Sequence, residues 1–425
     1  MKKISLNASA LLIIGWLFAT GNLLAEEPTK VEVAPVQQGG KKLTPEKKAQ
    51  QKKAPATAPK AAKKCRRNPA IPKQKIDIME RICVAKNLLS SGQQAEAKYC
   101  KKIIRVCTGK GKNRKCTDKK ISRFCGRSVL LASMDADDGM IKVVEISSEG
   151  KSSVKGYAIR LLSRDGVDSE YDVSSPPGQL VIGIQFPLQI RTSQGLKLER
   201  AIYTPYSKEL REKFPELVTL GWQYLNTGLA TARTKIEKEG VTEIKRILTK
   251  VILTLVLIEH FSNEELEDDQ LEEEIYRVAL TLGANQEKAY RYSVSGVGAR
   301  GIGQFMQITW KSLHRRYLGL LPKDFFQGSA QHPSALIAQF LLANEDLNFL
   351  FSHKGWRTTE KQAAFLVDSR QVGEYLALSY NGGAPRAYRW LVSGRTMTLP
   401  KEGTKYIRKF NQVWQYLTDL KTPGQ

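Results

Sequence analysis

Past its first 25 residues this chain has no run long and apolar enough to cross a bilayer as a helix. It has no Cys-x-x-Cys pair, and its four histidines, His260, His314, His332 and His353, lie far from every cysteine, so no zinc ligand set is implied. Large aliphatic and aromatic side chains are nearly missing from residues 26–64. There, ten Lys against four Glu, with Pro at 28, 35, 45, 55 and 59, cannot bury enough apolar surface to offset the entropy of ordering. That segment is expected to be a disordered linker. Acid is also short overall: 42 Asp and Glu against 67 Lys and Arg leave a formal net charge of +25 over 425 residues. Such a balance attracts polyanions, nucleic acid in a cytosol or nucleus, wall polymers or anionic lipid in an envelope.

The compartment chooses between these. Lys2 and Lys3 precede a short apolar core, Ala10 to Ala19, and small residues lead to Ala25, which is how a cleavable secretory signal is built over residues 1–25. The six cysteines agree with export. Cys65, Cys83, Cys100, Cys107, Cys116 and Cys125 crowd into one stretch, and an even number in an exported chain reads as a disulfide framework, with fifteen pairings open. Periplasm or cell envelope is the expected location, which sets nucleic acid aside as a partner.

Residues 65–128 read as a basic cystine-rich module, with a helix over Ile76 to Leu89, a second over Lys98 to Arg105, and a basic loop from Thr108 to Lys115. From 129 to 203 the pattern changes to a small β-rich unit. Its β-prone runs are Met140 to Ile146, Gly156 to Leu162, Gln179 to Phe186 and Leu188 to Arg191, separated by Gly, Pro, Asp and Ser. Asp135 to Gly139 looks like part of a calcium loop but lacks the closing Glu, so it is taken as a turn. Helical periodicity then holds over 204–425. Lys245 to Phe261 is apolar almost all round and should be a central buried helix. Ser262 and Glu265 form a capping box for the next helix, whose Leu271, Ile275, Val278 and Leu282 share a face; the eight carboxylates from Glu264 to Glu274 would be its solvated side.

One acid stands out. Glu259 ends the run Leu255-Val256-Leu257-Ile258, where apolar neighbours would penalise its charged form and keep it protonated near neutral pH, as a general acid requires. A helix-end Glu reaching solvent, or paired with Arg246 or Lys250, is the plainer alternative. Downstream, Ser295, Gly298, Ala299, Gly301, Gln304 and Thr309 fit Ser-x-x-Gly-Ala-x-Gly-x-x-Gln-x-x-x-x-Thr. Ser379-Tyr380-Asn381-Gly382-Gly383 and Leu399-Pro400-Lys401-Glu402 through Tyr406 follow.

In this order these motifs resemble the catalytic domain of the soluble lytic transglycosylases, lysozyme-like enzymes that cut the glycan strand of peptidoglycan. The resemblance covers roughly the last 180 residues, and residues 200–258 only loosely. It implies a multidomain chain with a C-terminal all-α lysozyme-like domain, preceded by the small β-rich unit and the disulfide-rich basic module. It implies a reaction in which one Glu protonates the leaving glycosidic oxygen and then takes the proton of the sugar's 6-hydroxyl, giving a 1,6-anhydromuramoyl end with no cofactor and no metal. Glu259 takes that role. Glu287 is the rival, standing nearer the usual spacing before Ser295, but its surroundings, Ala284 to Lys288, are polar. Two departures are that His260 stands where the family has Ser after its acid, and Gly303 where it has Met before the Gln. Between Gly298 and Ser312 there is no second carboxylate, although Asp324, Asp346 or Asp368 could supply one.

In supporting roles, Ser295, Gly301 and Gln304 would line the substrate groove, with Gly298, Gly301 and Gly303 letting backbone approach the sugar. Tyr380 would orient the acid by a hydrogen bond, Asn381 would bind substrate amides, and Tyr290, Tyr292 and Phe305 could stack on sugar faces. The basic N-terminal half would hold the enzyme on its anionic substrate or on an envelope protein complex, with membrane association no more than peripheral. A hydrolytic muramidase on the same fold, or a non-catalytic peptidoglycan-binding assembly protein, are the alternatives.

Overall fold

The computed structural model describes residues 65–419, apart from 69, 72–74, 109–114, 148–153, 162–170 and 262–267. The leader and the linker, most of the basic loop and the capping box at Ser262 and Glu265 lie outside the described residues.

The six cysteines form three disulfides, Cys65–Cys83, Cys100–Cys125 and Cys107–Cys116. The first ties the start of the described chain to helix α1 (Ile78–Ser91), which opens on Asp77, whose carboxylate accepts from the Glu80 N–H at 3.1 Å. The other two cross-link an antiparallel pair, β1 (Ala97–Thr108) and β2 (Lys115–Arg127). The helix expected over Lys98 to Arg105 is therefore strand. Cys107 stands directly opposite Cys116, and the β-branched Ile103, Ile104 and Val106 suit an extended backbone. A helical reading of this stretch rested on local spacing, which cannot see a partner strand.

Four strands make the main sheet, in the order β4 (Ile141–Ile146), β3 (Val129–Asp135), β7 (Gln179–Thr192), β8 (Gly195–Tyr203). A separate pair joins β5 (Ala158–Leu161) to β6 (Tyr171–Ser174). Both faces of the sheet are covered. Leu130, Ala132 and Met134 point toward Ile78, Ile82 and Leu89 of α1, while Val129 and Leu131 pack with Tyr157, Val173 and Phe186. Burial on both sides explains why β3 is a continuous apolar run rather than an alternating one. Gly183 is where α1 comes closest, since a Cβ there would sit 2.9 Å from Leu89. The two runs expected on either side of Pro187 are one strand. β7 pairs with β3 only as far as Gln185, so the missing proline N–H falls beyond that ladder. Asp135 accepts from the backbone N–H groups of Asp137 and Asp138 at 2.9 and 3.4 Å, a hairpin turn as expected.

The C-terminal half is largely helical: α2 (Lys208–Lys213), α3 (Glu216–Lys238), α4 (Thr249–Ile258), α5 (Asp268–Asn285), α6 (Gln307–Arg316), α7 (Phe325–Gly328), α8 (His332–Ser352), α9 (Thr359–Val367), α10 (Ser369–Gly382), α11 (Ala384–Val392) and α12 (Lys401–Asp419). The central helix begins later than expected, after a 3-10 turn over Thr242–Arg246, and every residue from Val251 to Ile258 is buried. Helices α3 and α5 cross in near backbone contact. A Cβ on Gly221 would lie 1.8 Å from the Ala279 carbonyl, and one on Gly283 1.9 Å from that of Leu217. Sheet and helices are stitched together by Asn285, which donates to Thr204 O at 2.9 Å and accepts from Thr204 N–H at 2.7 Å, and by Lys86 Nζ, which donates to Ala284 O at 2.9 Å. The carboxylates of α5 are not all solvated as expected: Glu273 accepts from Arg211 and Tyr206, and Glu274 from Arg277 at 2.7 Å. No helix among the described residues is long and apolar enough to cross a membrane.

Candidate active site

Helix α4 ends at Glu259. Its carboxyl is the first polar side-chain group after four buried apolar residues, Leu255 to Ile258, and the residue as a whole is half-buried. Burial raises its pKa to about 7, against the opposing pull of the Tyr406 phenol, which donates to Glu259 Oε1, and of the Lys409 ammonium nearby. Tyr406 and Lys409 lie three residues apart on α12, hence on one face, and Lys409 is itself buried, its pKa lowered by that burial and pulled back by Glu274 and Glu259. An ionised Glu259 would thus have a cation and a phenol beside it. A protonated one would be favoured by its apolar wall.

His260, the departure from the family pattern, holds the next stretch in place. Its Nε2 donates to the Ile302 carbonyl at 2.9 Å, and its ring stacks on Tyr290 with centroids 3.7 Å apart. Since a carbonyl only accepts, Nε2 carries the proton, and burial depresses the ring's pKa to about 3, so His260 is neutral. Arg277 of α5 caps the same turn by donating to the His260 carbonyl while paired with Glu274. The acid is therefore fixed to the Gly-rich loop from one side and to α12 from the other.

That loop is a set of tight turns. Ser295 N–H donates to Ala299 O at 2.8 Å, and Ala299 N–H returns to the Ser295 hydroxyl at 3.0 Å. Gly301, at φ +71°, faces the Ser329 carbonyl, where a Cβ would come within 1.8 Å; the glycine serves packing there rather than approach to a sugar. A Cβ on Gly303 would lie 2.6 Å from the Phe305 ring, which accounts for glycine where the family has Met. Gln304 takes a left-handed backbone at φ +46° and donates to the Gly301 carbonyl at 2.8 Å.

The phenol expected on the acid was that of Tyr380. The structure places Tyr406 there instead. Tyr380 donates to the Gly303 carbonyl and accepts from Gln339 Nε2 at 3.1 Å, so it braces the loop, close enough to Glu259 for the carboxylate to raise its pKa further above the value set by burial. Asn381 is exposed in the last turn of α10. Tyr290 and Phe305 are fully buried and cannot stack on a ligand, a correction to the subsites expected of them; both are packed by the loop they support. Tyr292 is half-buried and donates to Glu199 of β8 at 2.7 Å, which fastens the β7–β8 hairpin to the loop. Glu287 sits exposed in a 3-10 turn over Gln286–Lys288, without an apolar wall.

Of the three aspartates that could have supplied a second carboxylate, two are helix caps. Asp324 accepts from Phe326 and Gln327 N–H, and Asp368 from Gln371 N–H at 2.9 Å. Asp346 is buried on α8, and burial alone raises its pKa to about 8, so it is neutral at neutral pH. Lys409 and the carboxyl-binding role of Tyr406 were not foreseen. The closing Leu-Pro-x-Glu motif leading to Tyr406 was the available signal, and Lys409 follows one turn later. Family models, curated proteins and solved structures yield no match to this chain.

Proposed function

We propose that the helical half is a lysozyme-like domain that cleaves peptidoglycan glycan strands as a lytic transglycosylase, with Glu259 as its single acid and base. The observation that carries this reading is the Glu259 carboxyl itself, raised to about 7 at the end of a helix buried from Val251 to Ile258 and held by the Tyr406 phenol. Protonated, it donates to the glycosidic oxygen as the bond from the muramoyl C1 breaks. The new carboxylate, beside Tyr406 and Lys409, then takes the proton of the same sugar's 6-hydroxyl as that oxygen closes on C1. The leaving sugar keeps the donated proton, the acid recovers one, and water is not consumed.

The aspartates favour this over hydrolysis. A muramidase needs a second, ionised carboxylate to hold water or to attack C1, and the three candidates are two caps and a neutral buried acid. Glu287 is exposed and has no apolar wall of the kind that surrounds Glu259. Three disulfides suit the oxidising compartment in which peptidoglycan is found. The test is release of soluble fragments from purified sacculi by the wild type, Glu259→Gln and Glu287→Gln. Loss in the first variant and retention in the second is expected; the opposite pattern would reassign the acid, and no release by the folded wild type would leave a binding protein.

A further inference from the structure

The β1–β2 ribbon takes no part in the site around Glu259. It is a two-stranded sheet of 12 and 13 residues, with no third strand among the described residues, and residues 98–103 of β1 are exposed on both faces. It is rooted at its base, where Arg127 lies 4.0 Å over the Phe186 ring and donates to the Tyr171 hydroxyl at 2.9 Å. Two cross-strand disulfides lock it. Along it stand six exposed cations, Lys98, Lys101, Lys102, Arg105, Lys119 and Lys120, against a single acid, Asp118, which is directly opposite Arg105. Between these cations the ribbon leaves Ile103 61% and Ile121 36% exposed, opposite Lys120 and Lys102 respectively.

We infer that this ribbon is a docking surface for an anionic lipid bilayer. The charge sets the sign of the partner, and the isoleucines set its kind. Lysines alone would guard an open sheet edge or meet any polyanion, but neither use gains from isoleucines held in water. Ile103, opposite Lys120, and Ile121, opposite Lys102, project from opposite faces; at a bilayer the more exposed Ile103 enters the boundary between headgroups and acyl chains while lysine stems reach back to the phosphates. A ribbon one sheet thick keeps the lysines of both faces within the screening length of about 8 Å at physiological salt. Rigidity from the disulfides lowers the ordering cost of binding. Peripheral attachment of this kind would hold the Glu259 domain near a membrane surface, and it does not depend on what that domain catalyses.

The experiment is co-sedimentation of the full chain with vesicles of phosphatidylcholine alone or with phosphatidylglycerol at three parts to seven, at physiological salt. Binding is expected only to the anionic vesicles. Each lysine contributes about five-fold to such partitioning, so Lys101, Lys102, Lys119 and Lys120 all changed to Gln should weaken it by roughly a hundred-fold or more. Ile103→Ser should weaken it by about five- to ten-fold. Residues 26–64 stay intact in both variants, so a loss belongs to the ribbon, and unchanged thermal midpoints would show that both remain folded. Binding untouched by the four lysine changes would overturn the inference. So would binding that ignores Ile103→Ser and is abolished equally well by a soluble anionic polysaccharide, which would make the ribbon a polyanion site.

Discussion

Tyr406 donates its phenol hydrogen to Glu259 across 147 residues of chain, joining α12 to the end of α4. The bond stabilises the ionised carboxylate and so opposes the burial that raises Glu259 to about 7. Tyr406→Phe should therefore move the alkaline limb of the activity profile to higher pH. It should also lower turnover by about ten-fold, because a hydrogen bond to a charged group is worth at least that in rate. A pH-rate profile of the variant checks both; an unshifted limb would mean that the phenol does not govern the acid.

If the proposed function holds, Glu259 sets activity against stability. Its folded pKa lies above its ordinary value, so between pH 4.5 and about 7 the folded protein holds a proton that the unfolded chain has released. Stability is lost as pH rises through that window. Glu259→Gln should abolish turnover by at least ~100-fold and stabilise the protein at pH 8 by on the order of 2–3 kcal/mol, with no gain at pH 4. Urea unfolding at the two pH values measures the difference.

Two buried histidines act in the other direction. His260 and His332 are depressed to about 3 and about 4, chiefly by burial, and His332 Nε2 donates to the Ala289 carbonyl at 2.6 Å while Nδ1 accepts from Tyr224. Below the ordinary histidine value of 6.5 the unfolded chain takes up protons that the folded one refuses, so stability falls as pH drops from about 6.5 toward 4. His332→Gln should flatten that fall by on the order of 3 kcal/mol at its acid end, read as a shallower dependence of the unfolding midpoint on pH.

Gly301→Ala places a methyl 1.8 Å from the Ser329 carbonyl on a backbone at φ +71°. The loop must move, and a loss of roughly 3 kcal/mol or more is expected. Gly298→Ala, with nothing within 4 Å of its Cβ at φ +92°, should cost only the backbone strain, about 1 kcal/mol. Thermal melts of the pair separate crowding from conformation.

What was legible in the sequence was local. Four buried apolar residues directly before Glu259, in a helix buried from Val251 to Ile258, announced both the central helix and the perturbed acid, because burial of a helix on all sides leaves no polar face to disguise it. Glycines marked the loop, though not what they face: Gly301 and Gly303 meet Ser329 and Phe305 rather than open groove. Contacts set by distant partners were out of reach. Lys98 to Arg105 carries a spacing that fits a helix, and only β2 and two disulfides make it a strand. Tyr380 and Tyr406 both stood in motifs, and which phenol meets the acid depends on how α10 and α12 pack, a matter no spacing encodes. His260 looked like a lapse from pattern; its bond to Ile302 and stack on Tyr290 make it a brace between helix and loop.

The most direct measurement is the mass of the fragments released from purified peptidoglycan in water enriched in heavy oxygen. If Glu259 works as sole acid and base, each muramoyl end will be one water lighter than a hydrolytic product and free of the label, and Glu259→Gln will release none. Label at the muramoyl ends, with the mass of one added water, would contradict the account and make the enzyme a hydrolase.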